Sequence, residues 1–192
     1  MKKFMMITLG VTSLLLLSSC GSSNNSTTAS KMSHSSAAES VTGWNGSTLT
    51  THNAKYKIIA TKIILKGQLI PIGPDGNGGE LTEPNDKDIL AIWYDTTNIS
   101  GVNNLTSLAF VTAINAVQDN NSNFINTLQV GGTPFINPNG SYNDTFSNSQ
   151  MQNIKKDGTV AGVMAFDLTD TTTPVKLTSN DNFSGSYTIK LK

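Results

Sequence analysis

Hydrophobic positions divide the chain into three parts. A first apolar run ends in four leucines at residues 14–17, and residues 21–43 are Ser, Thr, Asn and Ala with almost no apolar bulk. From Tyr56 onward, short apolar stretches alternate with clusters of Gly, Pro, Asn and Asp. Short stretches rich in Val, Ile, Thr and aromatic residues, bounded by turn residues, are typical of β-strands. The pattern therefore predicts a leader, a polar linker and an all-β domain.

The domain is predicted to contain about seven to eight strands. The clearest is 88–98, whose apolar run from Ile89 to Tyr94 indicates a central strand that is buried on both faces. No segment of the domain has convincing helical periodicity. The other strands are predicted at 56–65, 68–72, 110–118, 124–130, 160–168, 174–177 and 186–191. Strands of this number and length, with turn signals between them, predict an antiparallel β-sandwich.

Irregular features are predicted at several places. The odd spacing of Lys57 and Lys62 changes the side on which polar residues lie, which predicts a β-bulge near Ala60 and Thr61. The Gly- and Pro-rich segment 71–86 is predicted to be loop or turn. Residues 131–149 are predicted to form a long loop held at one edge by three aromatic rings. A hairpin-type turn is predicted at 157–158, where Asp precedes Gly.

The first apolar run has the pattern of a lipoprotein signal. Lys2 and Lys3 precede it, no acidic residue occurs before Cys20, and the run falls short of the about 20 apolar residues of a spanning helix. The sequence of residues 17–20, Leu-Ser-Ser-Cys, resembles a bacterial lipobox, in which the cysteine thiol receives a diacylglyceryl group. The alternative is an ordinary signal peptide followed by an incidental cysteine. We expect residues 1–19 to be removed and Cys20 to be lipidated.

This anchor predicts a location and a domain division. Residues 20–45, the lipidated cysteine and a Ser/Thr/Asn-rich stretch, are predicted to be a flexible tether, because they cannot bury enough apolar surface to offset the entropy of ordering. A coil of about twenty-five residues reaches roughly 25–30 Å. Residues 46–192 are predicted to be an immunoglobulin-like β-sandwich domain. We expect it at the outer face of the bacterial cytoplasmic membrane, with the lipid anchor as its membrane contact.

Composition excludes some partners. All 13 basic side chains are lysines, and without Lys2 and Lys3 the chain carries 11 lysines against 13 acids. Arginine is the preferred residue for bidentate recognition of phosphate, and no lysine cluster forms a basic stripe, so nucleic-acid binding is not expected. Because Cys20 is the only cysteine, the domain cannot form an internal disulfide.

The order of several segments resembles a known family. In chain order these are KYKIIATKIIL, ILAIWYDTTNIS, FVTAINAVQDN, IKKDGTV, and AFDLTD followed by PVKL. Over about residues 50–178 the chain is similar to the domain of unknown function numbered 5067, found on lipoproteins of low-GC Gram-positive bacteria. Thr97–Asn98, Gln118–Asp119 and the stretch 166–175 carry the resemblance. One departure is Asp157 before Gly158, where the family pattern has Pro-Gly. The resemblance implies an immunoglobulin-like fold and an envelope location, and it implies no activity.

Catalytic chemistry is not expected. His34 lies in the tether and His52 near the start of the domain, and no nucleophile elbow, zinc-protease motif or phosphate-binding loop is present. No catalytic residue and no cofactor is therefore predicted. The alternative is a hydrolase in which His52 and distant Ser and Asp residues converge in the folded chain.

Two groups of residues are candidate ligand sites. Asp75, Asn77 and Asp86, in a segment that also holds Glu80, Glu83 and Asp88, offer the hard oxygens that calcium prefers. The preferred interpretation is a solvated acidic loop without metal, because the position that should be glycine is Glu80. Trp93 and Tyr94 are the aromatic candidates. Consecutive strand residues point to opposite faces, so we expect one to pack between the sheets and the other to lie under a loop or on the outer face.

These inferences predict a non-catalytic binding or interaction module at the bacterial cell envelope. Its partner is expected to be another envelope protein or a wall polymer. The main alternative is a host-facing adhesin or secreted-antigen-like protein. A calcium-dependent module and a hydrolase are the further alternatives.

Overall fold

A computed structural model describes residues 41–191. Cys20, His34, the predicted signal peptide and the tether up to residue 40 lie outside this range. Within it the chain forms eleven strands and two short helices. In chain order these are β1 (Gly43–Asn45), β2 (Thr48–Thr50), β3 (Ala54–Ile64), β4 (Leu69–Pro74), β5 (Glu80–Pro84), β6 (Ile89–Asn98), α1 (Ala109–Ala113), β7 (Ile114–Gln118), β8 (Asn126–Thr127), α2 (Thr145–Ser149), β9 (Thr159–Asp167), β10 (Val175–Ser179) and β11 (Tyr187–Ile189).

Two antiparallel sheets pack face to face. The larger has the order β1-β2-β3-β6-β9 and the smaller has the order β11-β10-β7-β8. We call the apolar cluster between them the inner core. It includes Tyr56 and Tyr94 from the larger sheet, Leu177 from the smaller, and Phe110 from α1. This arrangement confirms the predicted all-β sandwich.

The central strand β6 is buried on both faces, as predicted. It pairs with β3 on one side and with β9 on the other, and its first six residues, 89–94, are buried. Alternate residues of β6 enter the inner core, and the residues between them enter a second apolar cluster on the opposite face of the sheet. We call this second group the outer cluster; its members are Ile64, Ile89, Ala91, Trp93, Ile136, Phe146, Val163 and Ala165.

The predicted β-bulge is present in β3. The register with β6 shifts between Ile58 and Ala60, and the side chain of Ile59 is 52% exposed. Before the bulge Ile58 faces the inner core, whereas after it Ile64 belongs to the outer cluster. The bulge therefore produces the change of face that the two lysines predicted from the sequence.

The segment 71–86 is not only loop, which corrects the sequence interpretation. It contains most of β4 and all of β5, which pair as a separate two-stranded sheet with a register shift between Pro71 and Gly73. Every residue of β5 is exposed, so it lacks the alternating apolar pattern by which a half-buried strand is recognised. Hydrogen bonds between Gly67 and Asn85 (2.7 Å) and between Asn85 and Gln68 (2.9 Å) close the base of this hairpin.

Four other elements differ from the prediction. The first residues of the predicted strand 110–118 form α1, and strand structure begins at Ile114. Of the predicted strand 124–130, only Asn126–Thr127 forms a strand, and Val130 makes an isolated bridge with Phe166. The predicted loop 131–149 ends in α2. Gly43–Asn45, predicted from the sequence to lie in the tether, forms β1. This strand is held because the Trp44 side chain packs against the inner core and the Trp44 backbone N–H donates to the Ser184 carbonyl at 2.8 Å.

Candidate functional site

Both aromatic candidates are interior residues. Trp93 is 3% exposed and Tyr94 is 1% exposed, so neither can stack on a ligand, and they are removed as candidate binding residues. Tyr94 packs between the sheets and donates from its hydroxyl to the Ser107 carbonyl at 3.2 Å. Trp93 lies under the segment 131–149 and donates from Nε1 to the Ile136 carbonyl at 2.6 Å. The predicted division of the two rings between the two faces is therefore correct.

The calcium candidates are not brought together. Asp75 lies at the turn of the β4–β5 hairpin, whereas Asp86 follows β5 at the opposite end of that strand. The Oδ1 atom of Asp75 accepts the backbone N–H groups of Asn77 at 2.7 Å and Gly79 at 2.8 Å. These two hydrogen bonds hold the pKa of the Asp75 carboxyl below its usual range. Asp75 therefore shapes the turn, and within residues 41–191 no three acidic, His or Cys side chains are grouped as metal ligands.

His52 does not form a catalytic arrangement with the described residues. Its ring packs edge-on against Phe183 at a centroid distance of 5.2 Å. No carboxylate or serine between residues 41 and 191 hydrogen-bonds to it. The convergence that a hydrolase would need is not formed around this histidine.

The family-like pair Gln118–Asp119 has a structural role at its first residue. Gln118 is fully buried at the end of β7. Its Nε2 donates to the carbonyls of Asp170 (3.0 Å) and Thr173 (2.8 Å), and its Oε1 accepts both the N–H and the hydroxyl of Thr169 at 2.8 Å. One amide therefore holds the whole connection between β9 and β10. Asp119 itself is exposed.

Asp170 stabilises the same connection from within. Its Oδ1 accepts the N–H groups of Thr172 at 2.7 Å and Thr173 at 2.6 Å, and its Oδ2 accepts from Asn120. The Thr173 N–H and then the Asn120 amide hold the pKa of this carboxyl well below its usual range. The carboxylate is satisfied by the chain's own donors, so it is a turn-forming group rather than a free ligand.

Asn98 plays the corresponding role at the end of β6. It is fully buried, and its Nδ2 donates to the carbonyls of Val102 at 2.8 Å and Ile154 at 2.7 Å. Its Oδ1 accepts the N–H of Gly101 at 2.8 Å. Gln118 and Asn98, one residue from each motif pair, thus have buried structural roles and are not available to a ligand.

A concavity lies over the outer face of the larger sheet. We call it the hairpin groove; it has a volume of about 530 Å³ and is lined by Ile70, Pro71, Ile72, Glu83, Pro84, Asn85, Asp86, Gly132, Thr133, Pro134 and Phe135. One wall is the β4–β5 hairpin and the other is the start of the segment 131–149. Its size is within the range of small-ligand sites.

Contacts to the outer cluster fix both walls of the groove. Ile70 from the hairpin and Phe135 from the opposite wall pack against that cluster. The backbone N–H of Tyr142 also donates to Glu80 Oε1 at 3.1 Å, which joins the segment 131–149 to the hairpin. The groove is therefore a built feature of the fold.

The hairpin also exposes apolar side chains. Ile72 is 46% exposed and Leu81 is 51% exposed, and Leu65 and Leu69 beside the hairpin base are exposed as well. Exposed apolar residues that are grouped in this way often mark an interaction surface. From the sequence, the acidic residues here are recognised only as candidate metal ligands. The groove itself is not predicted, because two distant segments form it and leave no local pattern.

A second hollow, of about 490 Å³, lies on the outer face of the smaller sheet. Val117 and Ile125 contribute its apolar part, and Asp119 and Lys176 bring opposite charges to it. It is a shallow sheet face rather than a groove between two segments.

Comparison with known proteins places the chain in a family. Among residues 41–191, no helix combines the length and apolarity that a bilayer span requires. No curated protein matches the chain in sequence. A structure described as a "putative lipoprotein" from Staphylococcus aureus subsp. aureus NCTC 8325 is 19% identical, covers 77% of this chain and 90% of its own, and has a TM-score of 0.52.

Two further structures are similar at lower scores. A protein from Enterococcus faecalis is 14% identical over 79% of this chain and 94% of its own, with a TM-score of 0.47. An uncharacterized β-sandwich protein from Clostridium difficile 630 is 14% identical over 77% of this chain and 91% of its own, with a TM-score of 0.43. The family described as a domain of unknown function (DUF5067) matches residues 28–181. The chain belongs to the DUF5067 family.

Proposed function

We propose that this protein is a lipid-anchored, non-catalytic binding module on the outer face of the bacterial cytoplasmic membrane. The anchor is proposed from the lipobox-like residues that end at Cys20. The description of the Staphylococcus aureus relative as a "putative lipoprotein" supports it. Two acyl chains on one cysteine would meet the requirement for stable membrane attachment.

The hairpin groove is the observation that carries the binding role. It combines apolar walls with two carboxylates, Glu83 and Asp86, in a volume of about 530 Å³, and ligand sites in this size range combine apolar surface with placed polar groups. The described histidine, by contrast, has no catalytic partner among the described residues. Binding without chemistry is therefore the function that this surface supports best.

Site-specific crosslinking in intact cells tests the binding role. A photoreactive phenylalanine analogue in place of Ile72 puts the probe at the rim of the groove. The same analogue in place of Phe124, which is 58% exposed beside the smaller sheet, is the matched control. We expect a defined envelope component to be crosslinked from position 72 and only background from position 124. The same adducts from both positions would contradict the proposal that the groove is the binding site.

The anchor has a separate test. Cys20→Ala should release the chain from the membrane fraction or leave it unprocessed, as measured by fractionation and by the mass of the N-terminal peptide. A variant that is still cleaved and still membrane-bound would refute lipidation at Cys20. This result would leave the binding role of the groove unaffected.

A further inference from the structure

The lining of the hairpin groove is rich in hydrogen-bond acceptors and poor in donors. Three of its residues are prolines, at positions 71, 84 and 134, and proline has no backbone N–H. Glu83 and Asp86 add carboxylates, which only accept when ionised. The side-chain amide of Asn85, which could donate, is directed to the carbonyls of Ile64 and Lys87. Of the side chains that line the groove, the Thr133 hydroxyl is the one left to donate, so a ligand that brings its own donors fits this lining best.

The charge of the groove points the same way. No lysine is among its lining residues. The neighbouring Lys87 pairs with Asp167, and this is the ion pair that the described residues form. Among residues 41–191, neither Glu83 nor Asp86 forms a salt bridge; Lys87 adjoins Asp86 and attracts it electrostatically, but its ammonium is held by Asp167. The lining carries negative charge alone, which complements a cationic ligand.

The apolar walls set the shape of that ligand. Ile70 and Phe135 are held against the outer cluster, and Ile72 is 46% exposed at the rim. A stem of methylene groups can lie on such a surface while its charged end reaches polar groups. A compact ammonium with three rotatable donors can approach carboxylates from two different residues without the fixed geometry that a planar guanidinium requires.

We infer that the hairpin groove binds a lysine side chain of an extended peptide, with the ammonium at Glu83 and Asp86 and the four-carbon stem along Ile70, Ile72 and Phe135. This inference rests on the proposed function and names its ligand class. The volume of about 530 Å³ leaves room for the backbone around the lysine. The backbone N–H groups of an extended peptide would supply further donors to the acceptor-rich lining.

The test uses the full-length chain in detergent micelles and two blocked peptides, Ala-Ala-Lys-Ala-Ala and the same sequence with norleucine in place of lysine. Norleucine keeps an unbranched four-carbon stem and removes the ammonium. We expect the lysine peptide to bind about tenfold more tightly by calorimetry, as loss of a charged hydrogen-bonding group predicts. When the lysine peptide binds, the backbone amide resonances of Ile72 and Gly132 of the protein should shift in NMR spectra. The affinity for this peptide should fall as the salt concentration is raised. Equal affinities for the two peptides, or shifts outside the groove, would overturn the inference.

Isosteric variants test whether the carboxylates of Glu83 and Asp86 bind the lysine ammonium. Glu83→Gln and Asp86→Asn change exposed groups on the groove lining and should each weaken the lysine peptide several-fold while leaving the norleucine peptide unchanged. Asp119→Asn, at the smaller sheet, is the matched control and should have no effect. Equal binding of the lysine peptide by Glu83→Gln, Asp86→Asn and the parent chain would overturn the role of these carboxylates.

The peptide result and the crosslinking result separate the two proposals. If the lysine peptide does not bind but position 72 still crosslinks a defined partner, the lysine inference fails and the binding role survives. If position 72 also gives only background, both fail.

Discussion

The two faces of the larger sheet are covered in different ways. The inner core lies between two regular antiparallel sheets, where strand register fixes each neighbour. The outer cluster is covered by the β4–β5 hairpin and the irregular segment 131–149. The smaller sheet covers the inner face of the larger sheet without a gap. On the outer face, the hairpin and the segment 131–149 are separate, and a space remains between them. That space is the hairpin groove, so the less regular side of the molecule is also the side with a candidate site.

Strand β6 contributes side chains to both the inner core and the outer cluster. Tyr94 packs against Phe110 at a centroid distance of 4.5 Å in the inner core. Trp93 instead holds the outer cover, because its indole N–H donates to the Ile136 carbonyl at 2.6 Å. The segment 131–149 is therefore attached by a buried hydrogen bond and by apolar contacts, without a continuous ladder of backbone pairs. We expect this cover to open more readily than the smaller sheet.

A matched pair of phenylalanine deletions should separate the two sides most strongly. Phe110 is fully buried and its ring meets those of Trp44, Tyr56 and Tyr94 within 6.5 Å. Phe110→Ala should cost about 4 kcal/mol of the free energy of unfolding, since two sheets cannot collapse into the cavity. Phe146→Ala should cost about 2 kcal/mol, because Phe146 lies in the irregular outer cover, which can close over part of the cavity, whereas the rings around Phe110 are held by strands. Urea unfolding monitored by circular dichroism measures both.

Hydrogen exchange shows where each deletion acts. Phe146→Ala should speed exchange mainly in the segment 131–149, while Phe110→Ala should speed it across both sheets. Equal costs and the same exchange pattern in both variants would contradict the distinction between a fixed inner core and a separable cover.

Adding one methyl group at glycine tests the same distinction with a smaller effect. A Cβ at Gly162 would lie 2.4 Å from Ser107 Oγ and 2.7 Å from Cζ of Tyr94, whereas a Cβ at Gly132 in the outer cover meets nothing within 4 Å. Gly162→Ala should therefore destabilise by about 2 kcal/mol through overpacking, and Gly132→Ala by less than about 0.5 kcal/mol. Thermal unfolding of the two variants compares them directly. A harmless Gly162→Ala would mean that the inner core yields as easily as the cover.

The inner side is also the part of the fold that the sequence predicts best. Apolar residues on both faces of β6 identified the central strand, and the spacing of Lys57 and Lys62 placed the bulge of β3 within two residues. These features follow from the two-residue period of strands and from burial, and both are written locally in the chain. The alternating residues of β9 were recognised for the same reason.

The outer side was predicted less well because its order depends on distant contacts. The sequence predicts that Phe135 and Phe146 lie in a loop and hold it at one edge. No local pattern indicates that they pack in the same cluster as Trp93, on the outer face of the larger sheet. The exposed strand β5 has no apolar alternation at all. The groove combines residues 70–72, 83–86 and 132–135, and this combination exists only after both segments have folded onto the sheet.

The pH dependence of stability at alkaline pH should distinguish the inner core from the outer cluster by the smallest effect. The two buried tyrosines, Tyr56 and Tyr94, both lie in the inner core. Burial raises the pKa of both Tyr56 and Tyr94 to about 12, above the value of about 10 for a tyrosine in the unfolded chain. The protonated phenol is thus favoured in the folded state, so the stability that each contributes is complete below about pH 10 and is lost as the pH rises through about 12. At neutral pH, Tyr94→Phe should cost only about 1 kcal/mol, for its hydrogen bond to the Ser107 carbonyl.

The measurement is the free energy of unfolding of the parent chain and of Tyr94→Phe at intervals between about pH 9 and pH 12. In this window each tyrosine contributes at most about 1.4 kcal/mol per pH unit to the slope, so the variant should lose stability less steeply than the parent. Trp93→Phe is the matched control on the outer side. It should lower the whole curve without changing its slope, since it removes no ionisable group. A slope for Tyr94→Phe as steep as that of the parent, or a slope for Trp93→Phe steeper than that of the parent, would show that the outer cover, rather than the tyrosine-containing core, limits stability at high pH.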